Sequence, residues 1–479
     1  MALFCEICPL HRSCRGFRIA DPLFVPSGGW QHGDGLFCQA VPVCCRSEYR
    51  LFALLYENEG VSVPVGEDHV GSKEAEEEVV NKEKQWLFSR LAAVLGAKEQ
   101  EAPEGEPDWD LVLQMAKQHA VLSLLDPLLD EPEEAREMPE NVKLCIREEA
   151  KRTVRQNYHL LYLERQLLCE LQKEGIEMIL LKGASTAGFY PVPELRKSGD
   201  IDLFLADADK RERAGKCMKK LGLKENSAHS VNHHEVFVTK EPIEVELHTL
   251  LAEPFDDKTV NQKMQQIQKR LSGQVWTKTL MGVEFPFPVL PDGIHAYYLL
   301  LHMLQHFLRA GFGLKLLCDW VVFWRRDIDP AEVLQYRELV SQSGLTGFSD
   351  MVTAVCIRFL GLEEENGQSI LWQEPAEKDR IEFMEEILRS LEFGAVEAEQ
   401  MVTLRGNRWS DLLREFHHQM HLNFPDTGKN PLLWPVLWSR TAWRFARNNR
   451  TIRKTTMRRV IKNARKRGKI AKKLHLFQR

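Results

Sequence analysis

The feature that most constrains this chain is a pair of carboxylates inside an apolar run, Ser198-Gly199-Asp200-Ile201-Asp202-Leu203-Phe204-Leu205. Successive side chains of a β-strand point to opposite faces, so residues two apart share a face. Asp200 and Asp202 then project together from a strand whose other face, with Ile201 and Leu203, is buried. Two anions held this close repel each other, and a divalent cation relieves that repulsion. The pattern therefore predicts a strand that presents a cation site.

A second segment repeats the alternation, Ile243-Glu244-Val245-Glu246-Leu247-His248. Glu244, Glu246 and His248 share one face of the predicted strand. If this strand is a neighbour of the first, three or four carboxylates converge, with either Glu246 or Glu244 as the third. An acidic pair on a strand is equally typical of the solvated face of an antiparallel sheet, so further motifs must decide.

The upstream segment favours the cation site. Residues 175–183 indicate a helix stop at Gly175, then a buried strand, then a glycine turn that carries Lys182 before Gly183. A strand that delivers a Lys-Gly turn, followed by one that delivers Asp-x-Asp, can bring a phosphate-binding turn to a pair of metal ions.

These motifs resemble those of the uncharacterised nucleotidyltransferases of the DNA polymerase β-like superfamily. The similarity runs from about Trp86 to about Leu362. It rests on Leu181-Lys182-Gly183, Tyr190-Pro191, Arg196, Gly199-Asp200-Ile201-Asp202-Leu203 and Glu246-Leu247-His248. The resemblance implies an α+β fold: a small mixed β-sheet nucleotidyltransferase core, like the polymerase β palm, flanked by N-terminal and C-terminal helical regions.

The same resemblance implies an enzyme that transfers a nucleoside monophosphate from a Mg-NTP to an acceptor by a two-metal mechanism. Asp200 and Asp202 would bridge two Mg²⁺ ions, and Glu246 would complete the site on the attacking side, with Glu244 in reserve. His248 would orient a carboxylate or contact the acceptor. The residues implied to bind the nucleotide are Lys182, Gly183, Ser185, Arg196, Ser198 and Gly199. The acceptor, whether small molecule, sugar, protein or nucleic acid, is not encoded in these motifs.

The sequence departs from the superfamily pattern at two motifs. Lys182-Gly183-Ala184-Ser185 replaces the usual Gly-Ser or Gly-Gly turn, and Asp200 follows it at a longer spacing. Glu246-Leu247-His248 stands where family members often have Asp-x-His.

Periodicity divides the 479 residues into five predicted parts. They are a Cys/Gly/Pro-containing extension with an acidic linker (1–83), an N-terminal helical region (84–150), the nucleotidyltransferase core (151–290), a C-terminal helical domain (291–430) and an aromatic and basic tail (431–479). Within them we expect an N-cap at Asp108, a helix over 142–173, strands over 178–182 and 200–205, a basic helix over 208–220, and a hairpin of 235–239 with 243–248.

The tail suggests a second function. Residues 440–479 hold 16 lysines and arginines and no acid, whereas the rest of the chain has 48 basic against 69 acidic residues. Trp434, Trp438, Thr441 and Phe445 recur at the spacing of one helical face, and Arg440, Arg444 and Arg447 at that of another. The alternative function is therefore a catalytically weakened nucleotide-binding module, anchored to RNA or an anionic membrane through 434–479. A packed helix followed by a solvated tail explains the pattern equally well.

Other candidate ligands carry weaker signals. Cys5, Cys8, Cys14, Cys38, Cys44 and Cys45 could hold zinc, although their irregular spacing favours an extension without metal. His302 and His306 lie one helical turn apart and favour helix packing over a metal site. The sequence places His229, His233 and His234 in a loop at the mouth of the active site. With no apolar run of membrane-spanning length and no signal peptide, we expect a cytoplasmic protein, peripheral at the membrane if the tail anchors it.

Overall fold

Seven strands form one mixed sheet in the described part of the chain. The structure, a computed structural model, describes residues 81–477 apart from 99, 227–233, 242, 256, 275, 310, 391–408, 425–426 and 452–466. The strands are β1 (Ile179–Leu180), β2 (Ile201–Phe204), β3 (Lys224–Glu225), β4 (His234–Val238), β5 (Glu244–His248), β6 (Trp276–Leu280) and β7 (Val283–Val289). Their order across the sheet is β3-β4-β5-β2-β1-β7-β6.

The centre of the sheet brings the two acidic segments side by side. Strand β2 pairs parallel with β5, and the register sets Asp202 opposite Glu246. On its other side β2 pairs antiparallel with β1, which in turn runs parallel to β7. Two antiparallel hairpins, β4–β5 and β6–β7, and the short edge strand β3, which is antiparallel to β4, complete the sheet. Since β2 and β5 are neighbours, the condition for convergence of their carboxylates is met.

Helices cover the sheet, and further helices precede and follow it along the chain. They are α1 (Lys82–Val94), α2 (Trp109–Gln118), α3 (Pro132–Glu137), α4 (Glu140–Lys173), α5 (Ala184–Ala187), α6 (Arg211–Lys220), α7 (Lys258–Leu271), α8 (Asp292–Arg309), α9 (Leu314–Trp324), α10 (Pro330–Ser343), α11 (Thr346–Leu360), α12 (Glu364–Gln368), α13 (Glu377–Ser390), α14 (Trp409–Asn423) and α15 (Trp434–Thr451). The expected fold class, a small mixed sheet flanked by helical regions, is confirmed.

One apolar cluster binds the sheet to α4 and α6. Its members include Leu167, Leu180, Ile201, Leu203, Met218 and Leu247. Strand β5 alternates as predicted: Val245 and Leu247 are buried, while Glu244, Glu246 and His248 are partly exposed. This alternation places apolar side chains on the helix-covered face and leaves the other face to the carboxylates.

Most predicted element boundaries differ from the observed ones by a few residues. Asp108 caps α2 by accepting from the backbone N–H groups of Asp110 and Leu111. Strand β1 is shorter than the expected 178–182, although the Leu181 N–H still donates to the Asp202 carbonyl. The basic helix begins at Arg211, after a 3₁₀ turn at Ala208–Lys210. Helix α4 runs continuously across the expected boundary between residues 150 and 151, and the five-part division stays a prediction.

Two expectations fall partly or wholly outside the described residues. The six N-terminal cysteines lie there, as do His229 and His233. Among the described residues, no helix is both long enough and apolar enough to cross a membrane.

Candidate active site

The parallel pairing of β2 with β5 builds a compact group of acidic and histidine ligands. Asp202, Glu246 and His248 each offer a ligand atom, and these atoms lie within 4.8 Å of one another. His248 Nε2 is 2.9 Å from Asp202 Oδ1 and 3.1 Å from Glu246 Oε2. It is the only such group of three or more His, Cys, Asp or Glu residues within the described part of the chain.

Lys182 joins Asp200 to this group. Its ammonium lies 3.0 Å from Asp200 Oδ2 and 3.2 Å from Asp202 Oδ2. Burial lowers the pKa of Lys182, but the charges of Asp200 and Asp202 outweigh it and raise that pKa well above its usual value. Lys182 is therefore an ammonium ion held between the two carboxylates of the Asp-x-Asp motif.

The two aspartates of the motif differ in environment. The Asp202 side chain is 1% exposed and that of Asp200 is 28% exposed. Burial raises the pKa of Asp202, whereas at Asp200 the Lys182 charge outweighs burial and lowers the pKa. Asp202 thus forms the base of the site, and Asp200 with Glu246 (23% exposed) forms its accessible rim.

His248 is a cation in this setting. Burial alone would lower its pKa, but hydrogen bonds to Asp202 and Glu246 raise the pKa to about 9. The protonated ring therefore donates to both carboxylates. Three carboxylates, of Asp200, Asp202 and Glu246, are thus offset by two cations, Lys182 and His248.

The turn after β1 is shaped by a residue that we did not predict. Gly183 adopts φ +67° and ψ −120°, a conformation that disfavours other residues. Glu164 of α4, which is 1% exposed, accepts from the backbone N–H of Ala184 in this turn. Burial, followed by the Asp202 charge, raises the pKa of Glu164 to about 8. Its other oxygen, Oε2, is buried without a hydrogen-bond partner.

A signal for Glu164 exists in the sequence. Leu160, Leu167, Leu168 and Leu171 are buried on one face of α4, and Glu164 falls in the same helical register. A lone carboxylate on the apolar stripe of a helix predicts either a buried partner or a site.

An open pocket of about 470 Å³ adjoins the rim of the site. Its walls include Lys182, Gly183, Arg196, Ser198, Gly199 and Asp200 from the core, and His302, His306, Phe312, Gly313, Lys315 and Leu316 from α8, α9 and the loop between them. Five of the six residues expected to bind nucleotide thus line one pocket with Asp200. The sixth, Ser185, is buried, and its hydroxyl donates to the Lys182 carbonyl.

Arg196 joins the core to α9. Its Nε and Nη2 atoms donate to the two carboxylate oxygens of Asp319 at 2.7 Å each, and Nη1 donates to Ser198 Oγ at 3.0 Å. Tyr190 also donates to Asp319, at 2.7 Å. This arrangement carries Lys315, one turn before Asp319, to the pocket wall. Neither Asp319 nor Lys315 was expected there, because the contact with Arg196 spans 123 residues of sequence.

The paired histidines of α8 are neutral. Burial, reinforced by electrostatic coupling to His306 and by the charges of Lys182 and Lys315, lowers the pKa of His302 well below its usual value. Burial lowers the pKa of His306 to about 4. The two rings contact each other edge to face, with centroids 4.5 Å apart. The expectation of a packed, hydrogen-bonding wall fits these positions.

Comparison with known proteins gives one match. No curated protein and no solved structure matches the chain. A protein-family model described as an uncharacterised nucleotidyltransferase matches residues 105–361, which include the whole sheet and helices α2 to α11. The match confirms the resemblance drawn from the Lys-Gly, Asp-x-Asp and Glu-x-His motifs. The chain belongs to this uncharacterised nucleotidyltransferase family.

Proposed function

We propose that this protein transfers a nucleoside monophosphate from a nucleoside triphosphate to an acceptor hydroxyl, using divalent metal held by Asp200, Asp202 and Glu246. The observation that carries the proposal is the parallel register of β2 and β5. It sets Asp202 opposite Glu246 and adds the carboxylates of one strand to those of the next, beside a pocket rich in basic groups.

The donor set fits a hard divalent cation. Carboxylate oxygens are the ligands that Mg²⁺ prefers, and Mg²⁺ usually takes one or two of them together with substrate phosphates. The carboxylates of Asp202 and Glu246 belong to a group whose ligand atoms lie within 4.8 Å of one another, and the protonated His248 orients these carboxylates and is not counted as a metal ligand. Their negative charge is currently balanced by the chain's own ammonium and imidazolium. Bound metal would supply positive charge at the reacting phosphate and lower the pKa of the attacking hydroxyl.

The pocket fits a triphosphate because its basic groups come from three separate elements. Lys182 follows β1, Arg196 precedes β2, and Lys315 lies in α9. Gly183, Gly199 and Gly313 line the same walls and let the backbone approach a ligand closely. The neutral rings of His302 and His306 add hydrogen-bonding groups without adding charge.

The proposed reaction replaces one phosphorus–oxygen bond with another. The acceptor oxygen forms a bond to the α-phosphorus, and the bond from that phosphorus to the bridging oxygen of the β-phosphate breaks. Pyrophosphate leaves, and the hydroxyl proton passes to a rim carboxylate, Glu246 or Asp200, and then to solvent. Lys182 and Lys315 bind the triphosphate and stabilise the charge that develops on the departing pyrophosphate. Arg196, whose donors are bonded to Asp319 and Ser198, holds α9 with Lys315 at the pocket wall.

The alternative, a core that binds nucleotide without turnover, needs the same pocket but not the carboxylate cluster. Burying Asp202 among further acids costs free energy. A module that only bound nucleotide would gain nothing from this cost, and this favours the enzyme.

Thermal denaturation with ligands tests the binding part of the proposal. A ligand that binds only the folded protein raises the melting temperature by mass action. We expect Mg²⁺ with an NTP to raise it by several degrees, and Mg²⁺ or NTP alone to raise it less. A Glu246→Gln variant should lose the extra effect of the combination, whereas Glu244→Gln should keep it. If no Mg-NTP shifts the wild-type transition, the assignment of the pocket is wrong.

A further inference from the structure

Exposed apolar side chains concentrate on one helical hairpin. Among the described residues, twelve large hydrophobic side chains are exposed, and six of them lie between residues 413 and 443. These six are Leu413, Leu432, Leu433, Val436, Trp438 and Trp443. All belong to α14, α15 or the turn that joins them. Such a concentration indicates an interaction surface, because scattered exposed apolar residues are ordinary but clusters are not.

The inward face of α15 is already occupied. Leu437 and Thr441 are each 5% exposed, and the Trp434 ring lies 4.6 Å, centroid to centroid, from His417 of α14. Trp438 Nε1 donates to His417 Nδ1 at 3.2 Å. The face expected from the sequence to meet a membrane is thus largely used for packing against α14.

A different face of α15 points to solvent. Leu432, Val436, Arg440, Trp443 and Arg447 follow one another at intervals of four, four, three and four residues, and all are exposed. We call these five residues the outer stripe. The exposed fractions of its apolar members are 88% for Leu432, 59% for Val436 and 62% for Trp443. The Arg447 guanidinium lies over the Trp443 ring, 4.9 Å from its centroid.

The charges on α15 itself have a single sign. The last acidic residue of the chain is Asp426, so α15 carries arginines and no carboxylate. An anionic surface would therefore be attracted to it. The apolar members of the stripe favour a lipid surface over a nucleic acid. Contact with the phosphates of a nucleic acid would not bury Leu432 and Val436, whereas insertion at the acyl-chain boundary of a membrane would bury and stabilise them. Trp and Arg are suited to the polar interface beside it.

The far end of the basic tail has another role. Arg467 is 1% exposed and pairs with Glu386 at 2.8 Å. Leu474 and Leu476 are buried, and the Phe477 ring contacts Phe255. Residues 467–477 therefore contribute side chains to the core, and deleting the tail would remove these contacts together with any anchor.

We propose that the outer stripe docks this protein on an anionic lipid surface. The hairpin contacts the segment that follows β5, because His418 Nε2 lies 3.2 Å from the Pro254 carbonyl oxygen. Strand β5 carries Glu246 and His248 of the carboxylate site. Docking thus brings the carboxylate site to the membrane as part of one folded unit. The surface is separate from the site, so it is tested without measuring transfer.

Vesicle co-sedimentation of the full chain tests the proposal. We expect the protein to bind phosphatidylcholine vesicles containing about 30 mol% phosphatidylserine, and to bind pure phosphatidylcholine at least tenfold more weakly. The triple variant Leu432→Ser, Val436→Ser, Trp443→Ser should lose at least tenfold in partitioning. A matched control, Leu144→Ser, Tyr162→Ser, Leu334→Ser, removes three side chains of similar exposure (62%, 60% and 58%) elsewhere and should bind like wild type.

The charge test uses Arg440→Gln with Arg447→Gln, and we expect several-fold weaker binding that depends less steeply on salt than the binding of the wild type. Melting temperatures of all variants establish that they are folded, and the exposed positions make this the expected result. The proposal is overturned if wild type ignores anionic vesicles, if the control triple loses as much as the stripe triple, or if the stripe variants bind vesicles normally but lose binding to a single-stranded RNA.

Discussion

Asp202 and Glu246 lie directly opposite each other on two parallel strands. The His248 ring lies within hydrogen-bonding distance of both carboxylates, with Nε2 2.9 Å from Asp202 and 3.1 Å from Glu246. A single register thus sets two acids and the cation that orients them. A slip of one residue would turn Glu246 into the apolar core, so the fold itself fixes the site.

Replacing Asp202 with asparagine should abolish transfer and leave the fold intact. The amide keeps the side-chain shape but loses the charge that holds metal, and loss of a ligand should cost at least ~100-fold in activity. Among the five clustered charges, the change leaves two carboxylates facing two cations, so it should be tolerated structurally. Activity and melting temperature, measured on one preparation, check this. An unfolded variant, or a folded one with near-normal turnover, contradicts the assigned role.

Replacing Lys182 with glutamine should change two affinities in opposite directions. Without the ammonium between Asp200 and Asp202, Mg²⁺ should bind the nucleotide-free protein about tenfold more tightly, or roughly 1.4 kcal/mol. The KM for the NTP should rise, because a cation is lost from the pocket wall. Calorimetry and steady-state kinetics provide the two values. Lys143→Gln, which removes a lysine paired with Glu140 on the surface, is the control, and equal changes in both variants would refute the idea.

Stability without metal should fall as pH rises from about 6.5 to about 9. The pKa of His248 is raised from 6.5 in the unfolded chain to about 9 in the folded one. Its contribution is therefore fully present below pH 6.5 and is lost as pH rises through 9, with an upper bound of about 3 kcal/mol. Glu164, whose pKa is raised to about 8, acts in the same direction from pH 4.5 upward.

Chemical denaturation in EDTA at several pH values measures this slope. His248→Gln should flatten it between pH 6.5 and 9, and Glu164→Gln should flatten it between pH 4.5 and 8. His159→Gln replaces a histidine that is 45% exposed and pairs with Glu241, and it should leave the slope nearly unchanged. A wild-type curve that is level or rising over this range would show that His248 is not held as a cation.

Two glycines of the pocket should differ in their tolerance of alanine. Gly183 has φ +67° and ψ −120°, so Gly183→Ala should cost about 1–3 kcal/mol in unfolding free energy. The backbone of Gly199 does not adopt a positive φ, and a Cβ atom added at this position would have no neighbouring heavy atom within 4 Å. Gly199→Ala should therefore cost less than about 0.5 kcal/mol. Urea unfolding of both variants checks the difference, and equal costs would refute the special role of the Gly183 turn.

Removing one partner of the buried ion pair between Arg196 and Asp319 should cost several kcal/mol of unfolding free energy. Both side chains are buried, and Asp319→Ala would leave a buried guanidinium without its partner carboxylate, at about 3–5 kcal/mol. The double variant Arg196→Met, Asp319→Leu should recover most of that stability but not the NTP affinity. Unfolding free energies for both variants test this. A double variant as unstable as Asp319→Ala would argue that Arg196 and Asp319 do not act as a pair.

The sequence predicts the local parts of this structure well and its long-range contacts poorly. Alternation in 243–248 was enough to place Glu246 and His248 on one face, because a strand has a period of two. The pattern of residues 175–183 predicted the Lys182 turn, and the family motifs implied its role. Neither could reveal Asp319 or Lys315, since their approach to Arg196 depends on how α9 folds back over more than a hundred residues.

The tail shows the same limit. Helical spacing correctly grouped Trp434, Trp438 and Thr441 on one side of α15. Spacing cannot tell which side meets α14, and the structure buries Thr441 and Leu437 there. Charge suggested a solvated polycation, yet Arg467 is buried against Glu386, a partner 81 residues away. Composition indicates the charge of a segment, but tertiary packing decides where each charge lies.

The most direct test of the central claim follows the fate of the phosphates. The wild type is incubated with Mg²⁺ and an NTP labelled at the α-phosphate or, in parallel, at the γ-phosphate, together with fractionated acceptors and with the protein itself as acceptor. We predict that the α-label appears on an acceptor with release of pyrophosphate, that the γ-label does not, and that Asp202→Asn transfers neither. Transfer of the γ-label alone, or transfer of the α-label by Asp202→Asn at the wild-type rate, would contradict nucleotidyl transfer at this carboxylate site.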